Sequence, residues 1–207
     1  MTFPVPGGAT FLRARNNLSD LGSNVSALAN IGDYIAGQQL ASGEVNLPRY
    51  NIGSSAALVS GTMHLTYWTA EKTETINNII GNTGNAAAGA TPTYCAMGLY
   101  SVDGSGNLTL LGQCANDTTL FAGTFIAYTR AVTTPFTKVT GQRYAFAYLV
   151  VSAASMPVMI GYNGTTVLSS FAPRISGVVS GQAALPASVP AGSVVTSPHM
   201  CFGAITP

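Results

Sequence analysis

The residues able to do chemistry in this chain are few and poorly spaced for it. The histidines are His64 and His199, and neither belongs to a recognisable metal-ligand spacing. The many serines include no GxSxG elbow, so an activated nucleophile or a Ser-His-Asp triad has no local support. The carboxylates are Asp20, Asp33, Glu44, Glu71, Glu74, Asp103 and Asp117. Sugar hydrolysis would need two of them flanking one bond. Only Glu71 and Glu74 are close, with Lys72 between them, and that stretch reads as a solvated face. No GxxxxGK[ST] loop is present, and Gly104-Ser105-Gly106 reads as a hairpin tip rather than a phosphate cradle. Asp103, Ser105 and Asn107 imitate the opening of a calcium loop, but Cys114 stands where a bidentate glutamate is required. We therefore expect no catalytic residue, no metal site and no cofactor.

Cys95, Cys114 and Cys201 make an odd set without a CxxC pair, a poor disulfide framework and a poor zinc site. Cys95 and Cys114 could pair if their strands are neighbours. The simpler reading is three small buried apolar residues in a reducing compartment. Asn-X-Ser/Thr triplets at Asn17, Asn24, Asn107, Asn116 and Asn163 are incidental without a secretion signal, and residues 1–8 lack the basic and apolar regions of one.

The elements that must carry these residues are mainly strands. Of 207 residues, 47% are apolar and 7% charged, against about 25% charged in ordinary soluble domains. The 8 Lys and Arg are scattered, which excludes a basic footprint for nucleic acid. Disorder is excluded by the high hydrophobicity. With 23 Gly, 23 Thr and 2 Lys, the composition favours strands and turns over helices. A surface this neutral is poorly protected against association, so part of it is expected to be buried against other subunits. The uncharged stretch 144–162 is long enough to span a bilayer. Ser152, Ser155, Pro157 and the strand-like order of its first half instead indicate two buried strands joined at 153–157, and no membrane insertion.

Two regions are expected: an arm, short helix and linker over 1–55, and a β-sandwich over 56–207. In the first, Leu18, Leu21, Val25 and Leu28 are spaced as a heptad seam, with Ser19 and Asp20 as capping residues and Gly32 as a stop. So short a helix must bury its stripe, either on its own domain or on further copies around a symmetry axis. The arm before it carries Pro4, Pro6, Gly7 and Gly8 and would order only on a partner surface. In the second region, strands are expected at 58–69, 73–80 (or a helical turn), 94–102, 108–111, 125–130, 136–139, 144–152, 158–162, 167–169, 175–179 and 194–205. Asp103–Asn107 supplies a hairpin turn. Short strands at this spacing suggest a sandwich or jelly roll.

Asn16-Asn17-Leu18-Ser19-Asp20-Leu21 through Asn30-Ile31-Gly32 resembles an N-terminal motif of tailed-bacteriophage fibre proteins. The later segments Tyr67-Trp68-Thr69-Ala70, Ile76–Gly81, Gly98–Asp103, Gly141–Ala145 and Leu185-Pro186 resemble a β-domain of phage minor tail proteins. The resemblance implies a jelly-roll-like domain, a homotrimer, and a non-enzymatic structural role in a tail fibre or tail tip. It places the chain in the virion after synthesis in the bacterial cytoplasm. Leu18, Leu21, Val25 and Leu28 are then expected to trimerise, and Phe3, Phe11 and Leu12 to dock on another virion protein. A capsid-surface decoration or head-fibre protein is the alternative, and a lectin or sugar-active enzyme comes third. Contact with a host cell-surface glycan would need exposed aromatics; Tyr50, Trp68, Tyr94, Tyr128 and Tyr162 are the candidates, none assigned.

Overall fold

The computed structural model describes residues 43–48, 52–89, 92–164 and 171–207. The chain divides at Gln38/Gln39. Phe3, Phe11 and Leu12, the seam Leu18, Leu21, Val25 and Leu28, Tyr50 and the strand expected at 167–169 all lie outside the described residues.

The described residues are mainly β, with strands β1 (Glu44–Val45), β2 (Ser54–Ala57), β3 (Met63–Thr69), β4 (Glu74–Asn82), β5 (Tyr94–Val102), β6 (Leu108–Gln113) and β7 (Ala127–Lys138). The series continues with β8 (Arg143–Val151), β9 (Val158–Asn163), β10 (Ser176–Val179), β11 (Ser188–Val189), β12 (His199–Cys201) and β13 (Gly203–Thr206). They form a sandwich-like arrangement of a six-stranded sheet (β10-β3-β8-β5-β6-β11), a four-stranded sheet (β1-β13-β4-β7) and a three-stranded sheet (β12-β9-β2). Single bridges tie the sheets to one another, Thr83 to Met159 and Cys114 to Val132.

Strands β3, β8 and β5 form the centre of the large sheet and are buried on both faces. Double burial explains why β5 and β8 read as near-continuous apolar runs, whereas β3 alternates in sequence and buries His64 and Thr66 on the same terms. On one face, Phe146 stacks on Tyr148 with centroids 4.9 Å apart. The Tyr148 hydroxyl donates to the Phe202 carbonyl of the opposing layer. On the other face, Tyr100 donates to the Pro186 carbonyl at 2.9 Å, and Tyr94 accepts from the Leu185 amide at 3.3 Å. The uncharged stretch 144–162 is two strands in different sheets, and no helix among the described residues is long and apolar enough to cross a membrane.

The layers meet where glycine removes a side chain. A Cβ at Gly203 would lie 2.5 Å from Phe146 Cε2, and one at Gly81 would lie 2.6 Å from Met97 Sδ. Gly203→Val is therefore expected to destabilise the domain by about 1–3 kcal/mol through overpacking. At roughly 2–4 °C per kcal/mol for a domain of this size, thermal unfolding reads the change directly. An unchanged melting temperature would contradict the close approach of Gly203 to Phe146.

Four expectations are corrected. Residues before 56 are not all linker, because β1 and β2 are built into sheets. Asn46 holds this segment: its amide donates to the Gly203 carbonyl, and its side chain bonds Cys201 O at 2.9 Å and Gly203 N at 2.8 Å. The strand expected from 58 starts at Met63, after a turn closed by Thr62 N donating to Val59 O. The strands expected at 125–130 and 136–139 are one strand, β7, running through Pro135. Proline is accommodated there because the β4–β7 register shifts between Ile76 and Asn78, leaving Val132–Pro135 outside regular pairing. The strand expected at 194–205 begins only at His199 and breaks at Phe202, where it passes from the three-stranded to the four-stranded sheet.

Candidate functional site

The groups able to do chemistry are largely committed to holding the fold. Lys138 is fully buried at the end of β7, with Nζ 3.1 Å from Glu44 Oε2, 2.9 Å from Glu74 Oε1, and donating to Lys72 O at 2.6 Å. Glu44 also accepts from the Glu71 and Lys72 amides at 2.5 and 2.9 Å and from Trp68 Nε1 at 3.3 Å. This corrects the reading of Glu71 and Glu74 as a solvated face. Glu71 is exposed, but Glu74 faces the buried ammonium directly across the β4–β7 pair. Asp117 is bound by Arg130, whose Nε and Nη2 both lie 2.7 Å from Oδ2. Asp103 closes its own hairpin, accepting from Ser105 N at 2.8 Å and from Asn107 N and Nδ2 at 2.9 Å.

The two histidines do come near one another. His64 on β3 is 5% exposed, lies in register between Tyr148 and Val178, and has no hydrogen-bond partner at either ring nitrogen. Burial, with a smaller contribution from the charge of His199, holds its pKa down to about 4. His199 lies on β12, which packs across β3, and its Nδ1 is bonded to Asn163 Oδ1. Among the described residues no carboxylate is hydrogen-bonded to either ring. Cys95, Cys114 and Cys201 are buried free thiols. Burial pushes Cys95 and Cys201 up to about 12, and Cys114 upward too, so none supplies a thiolate near neutrality. No group of three metal-ligating side chains occurs among the described residues.

A cavity of about 510 Å3 lies on the outer side of the large sheet. Its floor is Tyr67 of β3 and Arg143 at the start of β8; its walls are the β5–β6 hairpin tip and residues 171–174. The Arg143 guanidinium stacks 4.8 Å from the Tyr67 ring centroid. Arg174 reaches in from the opposite wall, anchored by Nη1 donating to Val194 O at 2.5 Å. Burial pushes the Tyr67 phenol up, opposed by Arg174 and Arg143 beside it. Burial lowers Arg143, Tyr67 opposes that shift, and the neighbouring Arg174 charge adds to it. Phe171 stands 63% exposed at the rim. Chemically, this is a place for an anion next to an aromatic face.

The sequence reading assigned none of these four residues to a site, although Tyr67 and Arg143 fall in segments that carry the resemblance. Arg143 and Arg174 are two of only 8 basic residues, but nothing local connects β8 to a loop thirty residues later. Of the aromatics it named, Tyr162 is 43% exposed on β9. Trp68 packs on Tyr144 with centroids 5.7 Å apart, while Tyr94 and Tyr128 are half-buried against the core. No protein-family model matches the chain, and no curated protein sequence matches it.

Proposed function

We propose that this chain is a structural subunit of a tailed-bacteriophage virion, a homotrimeric tail-fibre or tail-tip protein that displays the β-domain and is anchored by its N-terminal residues. The observation that carries the reading is the commitment of Glu44, Glu74, Asp103, Asp117 and Lys138 to bonds that hold the fold. Such an arrangement suits a module that binds and assembles rather than one that turns over substrate. Val59, Phe125 and Val195 are each more than half exposed on a chain with 7% charged residues, which favours burial of surface between copies. In this reading the arm at 1–15 supplies the anchor, with Phe3, Phe11 and Leu12 docking, and the phage-like motif at 16–32 supplies the axis, with Leu18, Leu21, Val25 and Leu28 meeting their symmetry mates.

Light scattering on the full chain tests the assembly. A particle of three times the 21.2 kDa chain mass is expected. A monomer at micromolar concentration would overturn the trimer. Deleting residues 1–32 is expected to release the protein from particles, and retention after that deletion would overturn the anchoring role.

A further inference from the structure

We propose that the cavity between the β5–β6 hairpin tip and residues 171–174 binds an acidic saccharide or polyol, its carboxylate or phosphate clamped by Arg143 and Arg174 and its carbon skeleton laid on Phe171. Two guanidiniums converge on one cavity, close enough to repel each other, and among the described residues no carboxylate lies within ion-pair distance of either. The one acid in the lining, Asp103, directs its oxygens to Ser105 and Asn107 of its own loop. Juxtaposed like charges are unfavourable in a partly buried site until an anion joins them. Each guanidinium carries five donors in a planar fork suited to carboxylate or phosphate, and Arg174 has one nitrogen fixed by Val194 O, which orients the rest. Tyr67 supports Arg143 from below, so the clamp is preorganised rather than free to swing.

The rim explains why the ligand is more than a bare ion. An aromatic ring left open beside a charged clamp offers a flat apolar face for the C–H side of a sugar or polyol. The opposite wall, Gly104-Ser105-Gly106, supplies hydroxyl and backbone groups for the ligand's own hydroxyls. The volume falls within the ~300–1,000 Å3 typical of small-molecule sites. Scattered basic residues elsewhere leave no track for a polyanionic backbone. That such a ligand sits on a host surface rests on the virion reading above; the chemistry of the cavity does not.

The test is an NMR titration of the full chain with methyl glucuronide, glycerol 3-phosphate and the neutral methyl glucoside. At least one anion is expected to bind at millimolar concentration, on the order of tenfold or more tightly than the glucoside, and more weakly as salt rises. A response to the glucuronide alone identifies a carboxylate source, and one to glycerol 3-phosphate alone a phosphate source. The ring signals of Tyr67 and Phe171 should move in the wild-type protein, a readout independent of any variant. Arg143→Gln and Arg174→Gln should each weaken binding on the order of tenfold, with Arg143→Lys intermediate because charge survives without the fork. No response to either anion, equal binding of the glucoside, or unchanged affinity in folded variants would overturn the proposal. Those failures leave the virion reading standing, since it is tested on particles.

Discussion

Replacing Lys138 with alanine is expected to destabilise the β-domain by about 3–5 kcal/mol, the usual effect of removing one member of a buried ion group. The ammonium is fully buried between Glu44 and Glu74, and its loss leaves two carboxylates facing each other without a cation. At roughly 2–4 °C per kcal/mol, the melting temperature should fall by about 6–20 °C. The cause can be separated from simple loss of volume. A Lys138→Met, Glu44→Gln, Glu74→Gln protein removes all the charges together and should regain most of the loss, because an ion group exchanged whole for neutral side chains is often near neutral. Recovery should be incomplete, since Glu44 also serves Trp68 and the Glu71 and Lys72 amides. A loss under about 1 kcal/mol in Lys138→Ala would be that of an exposed pair and would contradict a desolvated network.

Acidification gives the second large effect, through His64. An unfolded histidine titrates near 6.5, whereas burial and the charge of His199 hold His64 at about 4 in the folded protein. The unfolded state therefore binds a proton more readily, and stability present above pH 6.5 is lost as pH falls toward 4. The loss over that window amounts to about 3 kcal/mol. The carboxylates act in a lower window. Hydrogen bonds from Asn107 hold Asp103 below the ordinary carboxylate value, and Thr119 and Arg130 do the same for Asp117 against the upward push of burial. Their contributions persist until pH falls below about 4. Urea unfolding between pH 7 and 4 should show the slope in the wild-type protein and a nearly flat response in His64→Leu. That variant should cost little at pH 7, because the imidazole nitrogens have no partners to lose. Parallel curves for the two proteins would show that His64 does not carry the effect.

The parts of the fold legible in the sequence are those whose determinants are local. Tyr94–Val102 has the expected bounds, and Asp103–Asn107 turns it into β6 with Gly106 at φ 84°. Tyr94 and Tyr100 project to the same side, toward Leu185 and Pro186, as their spacing requires. The strands that escaped are two to four residues long. Glu44–Val45, Ser54–Ala57 and Ser188–Val189 carry too few residues for a period to register, and they pair through partners distant in sequence. The continuity of Ala127–Lys138 is not legible, because proline usually ends a strand, and a register shift that admits one cannot be read from the strand itself.

The same distinction governs the candidate site. Asp103 read correctly as a turn residue because its partners lie two and four residues on. Glu74 did not read as paired, because its cation comes from the far end of β7. The Arg143–Arg174 cavity is assembled by pairing β10 with β3 and β3 with β8, so its residues meet only through three strands of tertiary structure.

The most direct test of the account is the copy number of this protein in purified particles, measured by quantitative mass spectrometry against the major capsid protein. The account predicts a handful of trimers per particle, the stoichiometry of a tail fibre or tail tip. Dozens to hundreds of copies would move the module to the capsid surface, and absence from purified particles would contradict a virion role altogether.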